Sequence, residues 1–332
     1  MAEAAHQPLA KPEPMLRVED LVVEFPLGKR EVVHAVSGVS FEIYPGETLG
    51  LVGESGCGKS TTARAVMQLP VPTSGKVILN GTDLVSLGGE ELRRQRKQFQ
   101  MIFQDPISSL NPRRKIADII EMPLVIMREG TPEERAARVR EVLAAVGLDP
   151  DVSLDRRPFQ FSGGQCQRIS IARALVSEPK MLICDEPVSA LDVSIQAQII
   201  NLLQDMKERY DLTMLFISHD LSVVKVVCDR VAVMYLGRIC ELADSEALYR
   251  RPAHPYTAAL LSAIPEADPT RPPQPIAMKE GELPSATAPP PGCRFHTRCP
   301  KAQAICAEVV PTLGEIGDRH LVACHFPLET ND

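Results

Sequence analysis

Four short apolar segments in the first two thirds of the chain predict buried strands. They are Leu49–Gly53, Met181–Cys184, Thr213–Ile217 and Arg230–Tyr235, each bounded by glycine, a charged residue or a turn residue. Continuous apolar runs of this length, rather than alternating ones, are typical of strands covered on both faces of a parallel sheet. The pattern therefore predicts an α/β fold with a parallel sheet.

The clearest helical pattern lies between these strands, from Thr131 to Leu148. Thr131 suits an N-cap, Pro132 suits the first helical position, and Glu134 completes a capping box. Four apolar residues then follow at the spacing of one helix face: Val139, Val142, Leu143 and Val146. The segment indicates a helical insertion over about residues 100–175.

Composition restricts the class of protein. The 332 residues amount to about two domains of ordinary length, and 44% hydrophobic and 24% charged residues are typical of a globular protein. With 36 Lys and Arg against 43 Asp and Glu, the net charge is −7, so we expect no nucleic-acid partner. No apolar run reaches the roughly 18–20 residues of a membrane span. Residues 1–14 lack the apolar core of a signal peptide and are expected to be a disordered tail in the cytosol.

Prolines and cysteines are concentrated near the C-terminus. Nine of the 29 prolines fall between Pro265 and Pro291, a density that excludes a regular helix or a central strand. Four of the nine cysteines follow within residues 292–326. The pattern predicts an extended linker over residues 251–291 and a small cysteine-rich module over residues 292–332.

The first apolar segment leads into a glycine-rich loop, residues 53–60, called the phosphate loop below. Its sequence fits G-x-x-x-x-G-K-[ST] in the strand–loop–helix context that the motif requires. Backbone N–H groups and a helix N-terminus would receive phosphate oxygens, Lys59 would reach the β- and γ-phosphates, and Ser60 would ligate Mg²⁺. The candidate nucleotide-binding residues here are Gly53, Glu54, Ser55, Gly56, Cys57, Gly58, Lys59, Ser60 and Thr61.

Two acidic residues end the second apolar segment. Asp185 stands where a carboxylate beside the phosphate loop holds magnesium, and Glu186 stands where one polarises an attacking water. His219 follows the third apolar segment. In isolation an acidic pair is often only the start of a loop, and such a histidine is more often a capped, neutral side chain. The acidic pair becomes significant because Lys59 is also present.

Residues 161–165, Phe-Ser-Gly-Gly-Gln, resemble the signature motif of ATP-binding-cassette (ABC) ATPases, with Phe161 where these carry leucine. The serine and two glycines open a helix and so form a second anion-binding N-terminus. A chain with two phosphate-binding ends implies that the signature of one subunit closes over the ATP of another, in a head-to-tail dimer. The candidate residues of this motif are Ser162, Gly163, Gly164 and Gln165.

Other motifs of the ABC family occur in order over residues 15–250. The resemblance implies that Gln104 is the Q-loop glutamine, that Asp192 belongs to the D-loop, that His219 is the switch histidine at the γ-phosphate, and that Phe25 stacks on adenine. It implies an ATPase with Mg²⁺ as cofactor. The implied catalytic residues are Glu186, His219 and Gln104, and the implied Mg²⁺ ligands are Ser60, Gln104 and Asp185.

The fold that the resemblance implies is the P-loop NTPase cassette of ABC proteins. It has a RecA-like core, an antiparallel β subdomain and a helical subdomain, here with a small cysteine-rich extension.

Three further segments are similar to the peptide and nickel uptake branch of importer ATPases: residues 108–113, 254–265 and 292–300. The match is to the second ATPase subunit of dipeptide and oligopeptide permeases. It implies a peripheral protein on the cytoplasmic face of the cell membrane, with an ATPase subunit as dimer partner. This partner is a related subunit or a second copy. Two transmembrane permease subunits and an extracellular substrate-binding protein are also implied.

The transported substrate stays open between peptide, nickel and glutathione. A soluble ABC ATPase acting on ribosomes or DNA is less favoured, because such proteins carry two cassettes or a long coiled coil.

The four cysteines of the C-terminal segment, Cys293, Cys299, Cys306 and Cys324, admit three interpretations. Disulfides are disfavoured in a reducing cytosol. Structural zinc sites use closely spaced C-x₂₋₄-C pairs, which are absent here, whereas four cysteines at wider spacing suit a [4Fe–4S] cluster. Some members of the peptide-importer branch carry a similar tail. We expect a [4Fe–4S] cluster, with zinc or no metal as alternatives.

Overall fold

The computed structural model describes residues 13–28, 31–264 and 283–329. Its strands are β1 (Leu16–Leu27), β2 (Glu31–Ile43), β3 (Thr48–Val52), β4 (Ser74–Leu79), β5 (Thr82–Asp83), β6 (Phe99–Ile102), β7 (Met181–Asp185), β8 (Thr213–Ile217), β9 (Arg230–Tyr235), β10 (Arg238–Asp244), β11 (Gly314–Gly317) and β12 (His320–Val322). Its helices are α1 (Lys59–Val66), α2 (Gly89–Gln95), α3 (Ile116–Met127), α4 (Pro132–Ala145), α5 (Pro150–Ser153), α6 (Gly163–Leu175), α7 (Val193–Tyr210), α8 (Leu221–Val227), α9 (Ser245–Arg250), α10 (Pro255–Ser262) and α11 (Ala304–Glu308).

The main sheet of the described chain has the strand order β11-β12-β10-β9-β3-β8-β7-β6. Neighbouring strands run parallel from β9 to β6. Every residue of β3, β7, β8 and β9 is buried, which is why these strands have continuous apolar sequences. They are the four strands predicted from the sequence, and they lie side by side.

A second, antiparallel sheet has the order β2-β1-β4-β5. Helix α1 lies between the two sheets. Its residues Ala63 and Val66 are fully buried in a core cluster that includes Val36 of β2 and Ile183 of β7. The phosphate loop precedes α1, so both sheets fix its position.

A helical layer of α3, α4 and α6 lies between β6 and β7 in the chain. Helix α4 has the predicted capping box: Thr131 Oγ1 accepts the N–H of Glu134 at 3.3 Å, and Glu134 Oε2 accepts the N–H of Thr131 at 2.7 Å. The predicted apolar face is buried. The first helix of the insertion begins at Ile116 rather than near residue 100, because Phe99–Ile102 pairs with β7 in the sheet.

The predicted linker differs from the structure over residues 255–262, which form helix α10. His254 Nδ1 accepts the N–H of Tyr256 at 3.0 Å, and Pro255 occupies the first helical position, where a missing N–H costs nothing. Tyr256 is fully buried, which stabilises the helix. The prediction of extended chain is therefore wrong there. Residues 265–282, which hold much of the proline-rich stretch, lie outside the described residues, as do residues 1–12 of the predicted tail.

The cysteine-rich segment is part of the cassette core rather than a separate module. Strand β12 pairs with β10 and extends the main sheet. His320 Nε2 lies 2.7 Å from Glu241 Oε1, and the same carboxylate accepts the N–H groups of Ala253 and His254 at 2.7 and 2.8 Å. This fully buried carboxylate joins β10, the start of α10 and β12. None of the helices in the described ranges is long and apolar enough to cross a bilayer.

The fold predicts a pH-dependent stability that originates at His254. Burial of the ring lowers its pKa to about 4, against the opposing effect of the nearby Glu241 carboxylate. Between pH 6.5 and 4 the unfolded chain therefore binds a proton that the folded chain does not. The free energy of unfolding should therefore decrease as the pH is lowered from 6.5 to 4, and His254 should account for about 3 kcal/mol of this decrease.

Urea denaturation from pH 4 to pH 7 measures this contribution. His254→Asn, which can still accept the Tyr256 N–H, should flatten the dependence. His325→Asn, the same substitution at a partly exposed ring, is the matched control. Equal slopes in His254→Asn and wild type would contradict the assignment.

Candidate functional site

The phosphate loop requires glycine at two positions. Gly53 and Gly58 have φ angles of +149° and +104°. A Cβ would lie 2.1 Å from the carbonyl oxygen of Met234 at Gly53, and 2.3 Å from that of Ala35 at Gly58. No other residue fits such contacts. Because Gly58 caps α1 without a side-chain hydrogen bond, the first N–H groups of α1 are open to an anion.

Lys59 supplies the positive charge of the loop. Its side chain is buried, and Nζ donates to the carbonyl oxygens of Gly53 and Glu54 at 2.8 and 3.0 Å. Within the described ranges, no ion pair joins Lys59 to a carboxylate. Its charge is therefore available to a bound polyanion.

The pair formed by Ser60 and Asp185 fits a divalent cation. Ser60 Oγ donates to Asp185 Oδ1 at 2.7 Å. Asp185 is fully buried, its Oδ2 accepts no hydrogen bond, and the Arg64 guanidinium lies 3.5 Å away. Burial raises the pKa of Asp185, although the Ser60 and Arg64 contacts oppose this. Asp185 Oδ2 is the oxygen that faces Arg64, and a hydroxyl beside a carboxylate is the oxygen-donor set that Mg²⁺ prefers.

Three strand ends bring Gln104, Glu186 and His219 together. Glu186 Oε2 accepts a hydrogen bond from Gln104 Nε2 at 2.9 Å and lies 3.3 Å from His219 Nδ1. Glu186 has a φ of +48°, which costs a non-glycine residue about 1–3 kcal/mol. Its N–H donates to the carbonyl of Ile217 at 3.1 Å, which holds it in place. The strained backbone thus directs a carboxylate to the carboxyl edge of the parallel sheet, where α/β proteins bind ligands.

These groups line one open cavity of about 900 Å³, large enough for a nucleotide. Of the predicted residues, the cavity is lined by Phe25, Ser55, Gly56, Gly58, Lys59, Ser60, Thr61, Gln104, Glu186 and His219. Gly53, Glu54 and Cys57 do not line it, and Asp185 reaches it only through Ser60.

The signature residues lie away from this cavity. Ser162 caps α6: its Oγ accepts the N–H of Gln165 at 3.3 Å, and Gln165 Oε1 accepts the N–H of Ser162 at 3.0 Å. Both residues are exposed, and neither they nor Gly163 and Gly164 line the cavity. Asp192, at the start of α7, is also exposed and makes no capping bond. The N-terminus of α6, which the sequence predicts to bind an anion, is therefore presented on the surface.

The four C-terminal cysteines converge on one narrow cavity. None is in a disulfide. Burial raises the pKa of Cys293 and that of Cys324, the latter to about 11. In the part of the chain that the structure describes, no group of three or more His, Cys, Asp or Glu side chains is arranged to hold a metal ion.

The sequence did not indicate every residue of the site. Ala286, in the predicted linker, lines the cavity, and its carbonyl accepts the N–H of His34 at 2.9 Å. Ser189, which also lines it, donates to the carbonyl of Glu186 at 3.1 Å. Ser189 lies three residues before Asp192, so the D-loop resemblance over residues 189–192 could have indicated it. No sequence pattern connects Ala286 with His34, 252 residues earlier.

Comparison with known proteins agrees with this geometry. The family model described as ABC transporter matches residues 36–189, and that described as oligopeptide/dipeptide transporter, C-terminal region, matches residues 240–306. The oligopeptide transport ATP-binding protein AppF of Bacillus subtilis is 51% identical over 96% of this chain and 98% of its own. The oligopeptide transport ATP-binding protein OppF of Salmonella typhimurium is 50% identical over 93% of this chain and 95% of its own.

Solved structures share the fold. The dimeric, post-hydrolysis ATP-binding cassette MJ0796 bound to ADP and phosphate is 29% identical, with a TM-score of 0.64 over 70% of this chain and 99% of that chain. CbiO1 of Clostridium perfringens, part of the ABC transporter complex cbiONQ, is 28% identical, with a TM-score of 0.62 over 71% of this chain and 90% of that one. These matches confirm the predicted cassette fold, and the chain belongs to the ATP-hydrolysing ATP-binding proteins of ABC transporters.

Proposed function

We propose that this chain is the ATP-hydrolysing subunit of an importer that moves di- or oligopeptides across the cytoplasmic membrane. The observation that carries the proposal is the match of residues 240–306 to the oligopeptide/dipeptide transporter C-terminal region in a chain with a cassette nucleotide site. The curated relatives with more than 90% coverage named above are oligopeptide transport proteins, which favours peptide over nickel or glutathione.

The site residues have distinct roles in this proposal. Lys59 and the N–H groups of the phosphate loop bind the phosphates, and Phe25 stacks on the adenine. Ser60, Asp185 and Gln104 hold Mg²⁺, which when bound neutralises phosphate charge. Glu186 accepts a proton from the attacking water, since Gln104 and His219 orient its carboxylate.

The exposed signature supports a head-to-tail dimer. Each ATP would be held by Lys59 and Ser60 of one subunit and by Ser162 and Gly164 of the other, whose α6 N-terminus adds a second anion site. The partner is a related ATPase subunit or a second copy. Closure would pass through Gln104 to the helical layer α3–α6, and from there to two permease subunits at the cytoplasmic face. An extracellular binding protein would deliver the substrate.

The [4Fe–4S] cluster, with zinc as the alternative, is a proposal that rests on the four cysteines lining one narrow cavity; within the described residues these side chains are not arranged to hold a metal ion, so the cluster would require them to move. The proposal requires deprotonation of thiols whose pKa burial raises, and binding of the metal itself favours that deprotonation. Backbone N–H groups that bond to Cys293 and Cys324 would support thiolates.

Glu186→Gln should leave the Kd for Mg²⁺-ATP within about twofold and lower kcat for hydrolysis by at least about 100-fold, because the amide cannot take a proton. Glu208→Gln, the same change at an exposed position of α7, should leave both constants unchanged. Wild-type turnover in Glu186→Gln would defeat the assignment of Glu186.

The same variant tests the transport proposal, because it should hold the complex in its ATP-bound form. Purification of the tagged variant from its native cells in mild detergent, followed by mass spectrometry, should recover permease subunits, an ATPase partner and bound peptide. Recovery of ribosomes or DNA-binding proteins instead of membrane proteins would overturn the importer. Recovery of bound nickel or glutathione would overturn only the assignment of peptide as the transported substrate.

Asp185→Asn should weaken Mg²⁺-ATP binding at least about tenfold, since an oxygen ligand loses its charge. Without nucleotide the Tm should rise, because the buried carboxylate is costly to keep ionised. Thermal unfolding with and without Mg²⁺-ATP measures both effects. Asp205→Asn, at an exposed position of α7, is the matched control. A lower Tm together with unchanged affinity would contradict the assignment.

Replacement of Cys299 and Cys306 by Ser should remove brown visible absorbance and bound iron from anaerobically purified protein. Cys166→Ser, a buried cysteine of α6, should retain both. Colourless wild-type protein with stoichiometric zinc would rule out the cluster.

A further inference from the structure

Two residues from the C-terminal third of the chain, Tyr256 of α10 and Arg298 of the cysteine-rich segment, bind Glu54 of the phosphate loop. Arg298 Nη1 donates to both carboxylate oxygens of Glu54, at 3.0 and 2.9 Å. The hydroxyl oxygen of Tyr256 accepts the backbone N–H of Glu54 at 2.9 Å. Glu54 is thus absent from the lining of the nucleotide cavity because two residues more than 200 positions away bind its side chain and its backbone.

Both contacts come from buried, closely packed groups. The Tyr256 ring is fully buried, with its centroid 4.7 Å from that of Tyr235 and 5.3 Å from that of Phe295. The Arg298 side chain is 11% exposed, and its guanidinium lies 5.9 Å over the Tyr235 ring. Such packing leaves few alternative rotamers, so the fold sets the positions of both groups before any ligand binds.

The position of Glu54 bears directly on phosphate binding. Its carbonyl oxygen is one of the two that hold Lys59 Nζ, and the next residue, Ser55, lines the cavity. On the other side of the loop, the N–H of Gly237 donates to the carbonyl of Cys57 at 2.8 Å. Release of Glu54 would therefore free one side of the loop and displace Lys59 with it. A misplacement of about 1 Å in an active site can lower the reaction rate about 100-fold.

We propose that Arg298 and Tyr256 are positioning residues for ATP binding. By holding Glu54 they pre-organise the phosphate loop, so the C-terminal segment sets the affinity of the nucleotide site. Arg298 directly precedes Cys299, so a rearrangement of the cysteine cavity would reach the loop through this contact. The proposal depends on ATP binding by the cassette and is independent of the transported substrate and of any metal.

Arg298→Gln in the full-length chain should raise the Kd for Mg²⁺-ATP about tenfold, because a charge-assisted contact to a partly buried carboxylate is lost. In the assembled complex the KM for ATP should rise by the same factor. The kcat should stay within about twofold, since Arg298 does not touch the reacting atoms. Arg319→Gln is the matched control: it lies in the same segment and pairs with Asp244 at 3.3 Å, and its loss should leave the Kd unchanged.

A titration that reports both Kd and the number of sites per folded chain separates positioning from stability. A merely structural role would reduce the number of sites at unchanged Kd. A Kd within twofold of wild type for Arg298→Gln would overturn the proposal. Glu54→Gln should raise the Kd for Mg²⁺-ATP by the same factor as Arg298→Gln, and the double variant should raise it no further. Additive losses would show that the two side chains act separately, which also overturns it.

Tyr256→Phe keeps the buried ring and removes only the hydroxyl. It provides a second test of the proposal if Arg298→Gln does not fold. It should raise the Kd about fivefold, because the Glu54 N–H loses its acceptor. An unchanged Kd in this variant would remove Tyr256 from the proposal.

Discussion

The backbone of the phosphate loop passes so close to two carbonyl oxygens that two of its positions accept only glycine. At Gly53 and Gly58 any side chain would overlap Met234 or Ala35, and both glycines have φ angles that L-residues rarely adopt. Met234 lies in β9 of the main sheet and Ala35 in β2 of the antiparallel sheet. The loop is thus fixed between the two sheets, and every other feature of the site is placed relative to it.

The remaining site residues are arranged for a ligand rather than for stability. Asp185 has a buried oxygen without a hydrogen bond, Glu186 has a strained backbone, and the N–H groups at the start of α1 lack a side-chain cap. Each of these features costs free energy when the chain is considered by itself. A phosphate group with its counter-ion would satisfy the N–H groups and the Asp185 oxygen, which explains why such costs are concentrated at one edge of the sheet.

The C-terminal segment changes how the cassette is understood. It adds β12 to the main sheet, pairs His320 with the buried Glu241 of β10, and brings Arg298 to the phosphate loop. The proline-rich composition predicted a linker and a separate module. Proline density indicates only where regular local structure is disfavoured, and it carries no information on tertiary contacts. His254 and Pro255 in fact start a helix, since proline at the first helical position loses no hydrogen bond.

The sequence by itself determined the central strands, the capped helix α4 and the glycine-lysine loop, because each depends on local spacing: apolar runs, a capping box, and glycines before a helix. It also indicated Gln104, Glu186 and His219 through the family resemblance. Only the tertiary structure decided that these three side chains meet, that Ser162 and Gln165 face outward, and that Glu54 turns toward Arg298. Those facts depend on contacts between distant positions, and no local pattern encodes which distant carboxylate a buried guanidinium will reach.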